Sequence, residues 1–175
     1  MSSTVELRIR RAGEPDVPAI TEIYNEAVRT TTGTFDTEPR SISDRRAWFR
    51  SHDSRHPILV AESEGSVVGW GSLSAWSDRS AYDGTGEVSV YVAAPFRGRG
   101  IGRRLLRELV DVARALEFHS LLARIAGGNA ASLHLHSALG FQEVGIMREV
   151  GQKFGRRLDV HLLQWMVPGA PDREP

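Results

Sequence analysis

The chain has no cysteine among its 175 residues. Disulfides, thiolate metal sites and a cysteine nucleophile are excluded, and a reducing compartment is the natural expectation. It also lacks net charge, because 22 Lys and Arg balance 22 Asp and Glu. Without a global field to gather nucleic acid or an anionic membrane, neither is expected as a partner. No apolar run approaches the length needed to cross a bilayer, and the opening MSSTVELRIRR has no apolar centre of signal-peptide length. The expected location is therefore cytoplasmic. His134 and His136 lie two apart on one predicted helix and so face different ways, and no metal site is expected. At this length one good core is affordable, whereas two domains would leave both marginal, so a single domain over residues 1–167 with a short tail at 168–175 is expected.

What is present concentrates between Glu87 and Val110. Val88, Val90 and Val92 alternate with Ser89 and Tyr91, the pattern of a strand with one apolar face. Pro95 ends it. Gly98, Gly100 and Gly102 follow, and Ile101, Leu105, Leu106, Leu109 and Val110 then recur at helical spacing. A glycine turn opening a helix brings unpaired N–H groups and the positive end of the helix dipole to one point, which is an anion site without any side chain. Arg97, Arg99, Arg103 and Arg104 add formal charge around it. A P-loop would need Gly-Lys-Ser or Gly-Lys-Thr, which is absent, and a dinucleotide turn would read G-x-G-x-x-G where this chain has G-x-G-x-G.

The remaining elements follow from pattern. A strand is expected over Val5–Arg11, a helix from Pro15 carrying the stripe Ile20, Ile23, Tyr24, Ala27 and Val28, a loop over Thr30–Pro39, and a short helix capped by Ser41 or Ser43. Ile58–Ala61 and Val67–Ala75 form a hairpin across Glu-Gly-Ser. After a loop at Ser77–Gly86 come the Glu87 strand and a helix to about Leu116, then a strand at Leu121–Ala126 and a helix from the cap Asn129 to Leu139. Strands at Gln142–Val150 and Leu158–Val167 complete the set.

Arg97-x-x-Gly100-x-Gly102 after Val92 resembles the acetyl-coenzyme A signature (Q/R)-x-x-G-x-(G/A) of the GNAT N-acetyltransferase superfamily. Asn129-x-x-Ser132-x-x-x-His136-x-x-x-Gly140-Phe141 is similar to that superfamily's later N-x-x-(S/A)-x-x-x-(Y/H)-x-x-x-G-F element. Arg79–Glu87, Phe35–Pro39 and Lys153–Val160 resemble the subgroup of phosphinothricin acetyltransferase and methionine sulfoximine N-acetyltransferase, and the likeness spans roughly Leu7 to Val167. It implies an α/β (α+β) fold: a mixed, mostly antiparallel sheet of about seven strands flanked by about four helices. It implies acetyl-CoA as co-substrate, a small-molecule amine acceptor, a homodimer and a role in detoxification. Cofactor contacts then fall at Val90, Tyr91, Val92, Arg97, Gly98, Arg99, Gly100, Ile101, Gly102, Arg103, Asn129 and Ser132. Acceptor contacts fall at Phe35, Trp76, Arg79, Ser80, Tyr82, Glu87, Val88 and Ser89, with Arg79 suited to a carboxylate or phosphinate.

Acetyl transfer to an ammonium needs a base, and Glu87, opening the strand that leads to the turn, is the best placed, directly or through water. Its plain alternative is a strand-end carboxylate facing solvent. Many relatives carry tyrosine where this chain has His136. An imidazole there can protonate the leaving thiolate, hold it, or hydrogen-bond to the cofactor. Gly84 and Gly86 stand where relatives carry bulkier residues, and Val88 where a close relative has histidine, so the acceptor can differ. Two other functions fit the same residues: a peptide or protein N-acetyltransferase with an open groove, and a non-catalytic acyl-CoA binding module.

Overall fold

Because the segments alternate between runs that bury both sides and helices with one apolar stripe, the chain must layer helices on a sheet. A computed structural model describes residues 7–168. It contains β1 (Leu7–Arg11), α1 (Val17–Thr30), α2 (Ile42–Arg50), β2 (Ile58–Ser63), β3 (Ser66–Ala75), β4 (Thr85–Val92), α3 (Ile101–Ala115), β5 (Ser120–Ala126), α4 (Ala130–Ser137), β6 (Gln142–Lys153) and β7 (Arg156–Met166). The strands form one seven-stranded sheet in the order β1-β2-β3-β4-β5-β7-β6. Only β4 and β5 pair in parallel; the other pairs are antiparallel. This is the expected mixed, mostly antiparallel sheet with four helices. Val5 and Glu6 of the first expected strand, and the expected tail beyond Pro168, lie outside the described residues. Among the described residues no helix is long and apolar enough to cross a membrane.

Strand alternation divides the core. On one face Ile58, Val60 and Trp70 meet Ile20, Ile23, Tyr24 and Val28 of α1. On the other, Leu59, Ala61, Leu73 and Val88 meet Ile101, Leu105, Leu106, Leu109 and Ala113 of α3. Leu105, Leu106 and Leu109 are wholly buried, each contributing about 1.5–3 kcal/mol of burial free energy. The close approach of α3 requires Gly71: a Cβ there would stand 2.8 Å from Leu109 Cδ1 and 3.0 Å from the Ser89 carbonyl oxygen.

Boundaries differ from expectation in instructive ways. Pro15 falls in the middle of a 3-10 turn, Glu14–Asp16, and α1 begins only at Val17. Asp16 explains the turn, since its carboxylate accepts from Gly13 N at 2.7 Å and from both terminal nitrogens of Arg10 at 2.7 and 2.9 Å. Strand β4 starts two residues before Glu87, because Thr85 and Gly86 already pair with Ser120 and Leu121. Helix α4 stops at Ser137, short of Leu139. Strand β6 runs on to Lys153, because Phe154 and Gly155 both take positive φ (50° and 71°) and make a two-residue hairpin turn into β7. Register shifts between Glu143 and Gly145 and between Met147 and Gly151 break the alternation that would have revealed it.

Two outcomes follow from this packing. Gly71→Ala forces α3 off β3 and lowers stability by about 1–3 kcal/mol in chemical denaturation, since a carbonyl oxygen cannot yield as a side chain does. Arg10 hydrogen bonds hold the Asp16 carboxyl below its ordinary value. A depressed folded pKa contributes stability that is complete above the unfolded value near about pH 4 and is lost as pH falls through the folded one. Arg10→Gln therefore lowers stability on the order of 1–2 kcal/mol at neutral pH, and its deficit against the parent shrinks in thermal melts below about pH 3.

Candidate active site

The sheet opens at one place. Strands β4 and β5 pair only through Thr85–Ser120, Gly86–Leu121 and Glu87–Leu122. Beyond that point β4 remains paired to β3 as far as Val92–Gly69, and β5 to β7 as far as Ala126–Val160. Each strand stays anchored on its outer side while its inner side loses its partner, so the sheet forks. A cleft of about 790 Å³ occupies the fork, bordered by Val88–Val92 on one arm and Ala123–Ala126 on the other. That volume is within the range of small-molecule sites.

At the mouth of the fork lies the glycine turn. Gly98 and Gly100 take φ of 73° and 78°, and a Cβ at either would meet nothing within 4 Å. The turn therefore leaves its backbone open on that side. The first α-helical hydrogen bond of α3 runs from Arg104 N to the Gly100 carbonyl, so the N–H groups of Ile101, Gly102 and Arg103 precede the ladder, as at any helix start. Gly98, Gly100, Ile101, Gly102 and Arg103 all border the cleft. Arg97 borders it too, but its guanidinium is engaged: Nε donates to the Val92 carbonyl at 2.9 Å and Nη2 to Glu26 at 3.1 Å. It ties the turn to the strand end and to α1. Arg99 does not border the cleft; its guanidinium lies 5.4 Å over the Phe96 ring. Of these expected cofactor contacts, Arg99 is the one the fold leaves aside.

Glu87 sits on the last rung that pairs β4 with β5 and does not itself border the cleft; half-buried, it receives two hydrogen bonds from Arg124, which does border it, at 2.6 and 2.8 Å. The Arg124 guanidinium also lies 5.5 Å from the Trp76 ring. The fold thus joins Glu87 and Trp76 through a third residue that the sequence reading passed over. Its signal was present: Arg124 is the one charge in the apolar run SLLARIA. Ser89 and Tyr91 border the cleft. Tyr91 is stacked on Trp70 at 4.8 Å with its hydroxyl donating to the Gly33 carbonyl at 3.3 Å, and burial pushes that hydroxyl's pKa up. Val88 borders the cleft but is packed into the core against α3, at 3% exposure. Alternation turns its side chain away from the face of Glu87 and Ser89 and toward the core under α3.

Helix α4 supplies the remaining wall. Asn129 Oδ1 caps it by accepting from Ser132 N at 3.2 Å, and Asn129, Ser132 and His136 all border the cleft. His136 is 4% exposed, and burial lowers its pKa, so the ring is neutral. Its Nδ1 lies 2.8 Å from the Ser132 carbonyl oxygen, which only accepts, so Nδ1 carries the hydrogen. Nε2 then presents a lone pair and has no partner among the described residues. In this arrangement the neutral ring presents an acceptor, which suits the last of the three expected roles, a hydrogen bond with the cofactor.

The expected acceptor loops are more dispersed. Phe35, Trp76, Arg79, Ser80 and Tyr82 do not border the main cleft. Ser80–Tyr82 is an exposed 3-10 turn, and Tyr82 borders a smaller hollow with Arg55 and His56. The Phe35 ring lies against Gly151 of β6, and the loop around it is pinned by Tyr24, whose hydroxyl donates to Asp36 at 2.6 Å, and by Lys153, which donates to the Thr34 carbonyl at 2.8 Å. Neither Gly84 nor Gly86 lines the cleft, and only Gly86 is a close-packed position. A Cβ at Gly86 would stand 2.6 Å from Leu73, and one at Gly84 would stand 3.6 Å from His119. Another feature escaped the sequence reading: Arg45, 7% exposed, lies 3.9 Å over Tyr24 and 4.2 Å over Trp48.

Residues 20–141 match the Acetyltransferase (GNAT) family. The L-methionine sulfoximine/L-methionine sulfone acetyltransferase of Pseudomonas aeruginosa is 45% identical over 158 residues, 89% of this chain and 92% of that protein. The phosphinothricin N-acetyltransferase of Streptomyces coelicolor is 41% identical over 165 residues, 91% of this chain and 96% of that protein. The crystal structure of a GNAT superfamily phosphinothricin acetyltransferase from Sinorhizobium meliloti in complex with acetyl-CoA superposes with a TM-score of 0.92 at 36% identity, covering 97% of this chain and 92% of that one. With the forked sheet, the glycine turn at its mouth and matches of this extent, the chain belongs to the GNAT acetyltransferase family.

Proposed function

We propose that the protein transfers the acetyl group of acetyl-CoA to the primary amine of a small amino-acid-like acceptor of the phosphinothricin, methionine sulfoximine or methionine sulfone type. The observation that carries this reading is the fork itself, with an anion-binding turn at its mouth and, at its root, Arg124 on the cleft wall paired with Glu87 behind it. The turn fits a pyrophosphate because its backbone is open at Gly98 and Gly100 and the first N–H groups of α3 converge there. Ser132, Asn129 and Gly102 border the path between. Acetyl-CoA, when bound, supplies the acetyl group as a thioester.

This chain's own residues then have three tasks. Inner-side N–H groups of β4 near Val90–Val92, lacking a β5 partner, donate to the carbonyl oxygen as negative charge develops on it. Glu87 accepts a proton from the acceptor's ammonium, directly or through one water, freeing the lone pair for direct attack in a ternary complex. His136, as a neutral acceptor at Nε2, receives a hydrogen bond from the cofactor arm.

The names of the relatives support the acceptor class: proteins about 40–45% identical over nearly the whole chain act on methionine sulfoximine, methionine sulfone or phosphinothricin. A homodimer acting in the cytoplasm in detoxification completes the reading. Edge strand β6 supports the dimer, since it exposes Val144 and Val150 at 58% and 56% and no strand lies beyond it among the described residues.

Two measurements test these statements. Thiol release from acetyl-CoA is expected with methionine sulfone, methionine sulfoximine or phosphinothricin and not with short peptides, and Glu87→Gln is expected to lower kcat about 10²–10⁴-fold with CoA affinity retained. Release with peptides alone would move the protein to the peptide-acetylating class, and CoA binding without release to any amine would make it a sensor. Sedimentation is expected to give twice the chain mass, and Val150→Lys to shift it toward the monomer; a monomeric parent rejects the dimer.

A further inference from the structure

Resting on the acceptor class just proposed, we infer that Arg124 and Glu87 together form a receptor for a zwitterion: the acceptor's carboxylate takes the Arg124 fork from Glu87, and its ammonium comes to face the Glu87 carboxylate so released.

The geometry supplies the reasons. Both Arg124 nitrogens that reach Glu87 do so at charge-assisted distances, 2.6 and 2.8 Å, to separate oxygens of one carboxylate. This two-pronged arrangement is the one a free carboxylate adopts on arginine. Glu87 therefore occupies the place of a ligand carboxylate within its own site. The Arg124 side chain is 54% exposed and that of Glu87 17%, so the arginine is open to solvent from the cleft it borders while the acid is sheltered. The half-buried Trp76 ring, 5.5 Å from the guanidinium, limits where that side chain can swing.

The exchange conserves pairing. Before binding there is one ion pair; afterwards there are two, Arg124 with the carboxylate and Glu87 with the ammonium. A neutral-tailed amine offers no such trade, because drawing Glu87 to the ammonium breaks one charge-assisted pair to make another, with no gain in pairing. Both oxygens of Glu87 are engaged by Arg124, so the acceptor's carboxylate, in taking that fork, is what leaves them free to meet the ammonium. Among the cleft's other arginines, Arg97 is tied to Val92 and Glu26, and Arg103 sits at the anion-binding turn. Arg156, in the first residue of β7, also borders the cleft and is the natural control.

The experiment compares L-methionine sulfone with its carboxamide in the parent, Arg124→Gln, Arg124→Lys and Arg156→Gln, by thiol release and by calorimetric titration into CoA-loaded protein, with melting temperatures as a folding control. The parent is expected to favour the free acid by roughly tenfold or more in kcat/KM. Arg124→Gln should lose that preference, falling on the acid and not on the amide; Arg124→Lys should fall between; Arg156→Gln should keep it. Retention of the full preference in Arg124→Gln, its loss in Arg156→Gln alone, or equal use of acid and amide by the parent overturns the inference. If thiol is released only with amines lacking a carboxylate, the zwitterion receptor falls while acetyl transfer stands. If no amine releases thiol, the acetyl-transfer reading falls, and calorimetry decides the receptor: binding of the acid to the parent and not to Arg124→Gln upholds it, and absence of binding to the parent overturns it.

Discussion

The parallel pairing of β4 and β5, confined to Thr85–Glu87 against Ser120–Leu122, is the constraint on which the rest of the molecule depends. Because each strand is held on its outer side by a full antiparallel ladder, neither can bend back to close the gap. The gap exposes backbone groups of β4 that a continuous sheet would consume, and it leaves room for a ligand through the sheet's own plane. A parallel pair also requires a crossover. Here that crossover is α3, whose start at Ile101 places the glycine turn at the mouth of the same gap.

Packing beneath the fork is correspondingly strict. Gly71 lets Leu109 press onto β3 directly opposite Val90, and Gly86, on the middle of the three β4–β5 rungs, admits Leu73, Phe118 and Leu121. The Gly71 contact seats α3 on β3 beneath the fork, and so keeps the turn at the start of α3 in place beside it. On the other face, the Tyr24–Trp70–Tyr91 stack and the buried Arg45 over Tyr24 and Trp48 hold α1 and α2 to the same strands. The cleft is thus framed by rigid elements, while Phe35, Arg79, Ser80 and Tyr82 are carried by loops outside it.

Much of the fold was legible in local pattern. The alternation of Val88, Val90 and Val92, the helical stripe from Ile101 to Val110, the Ser41 and Asn129 caps and the Glu64–Gly65 turn each express a preference that acts within a few residues. Strand β6 was less so, because its register shifts interrupt the period and its turn rests on Phe154 taking a positive φ that phenylalanine rarely adopts. Of the site, the backbone half was readable, since glycine spacing and a following helix specify an anion-binding turn by themselves.

The sequence by itself determined the order of elements, the apolar faces that layer them, the glycine turn and the acid at Glu87, all of which depend on neighbours along the chain. The tertiary structure decided who meets whom across it. Arg124 is 37 residues from Glu87 and becomes its partner only because two parallel strands align them. The hydrogen bond that fixes the His136 tautomer, the engagement of Arg97 with Glu26, and the burial of Val88 and Gly86 are likewise settled by which face a strand or helix presents after packing. A side chain's chemistry depends on its partners and its burial, and those are fixed by contacts between segments that local pattern does not encode.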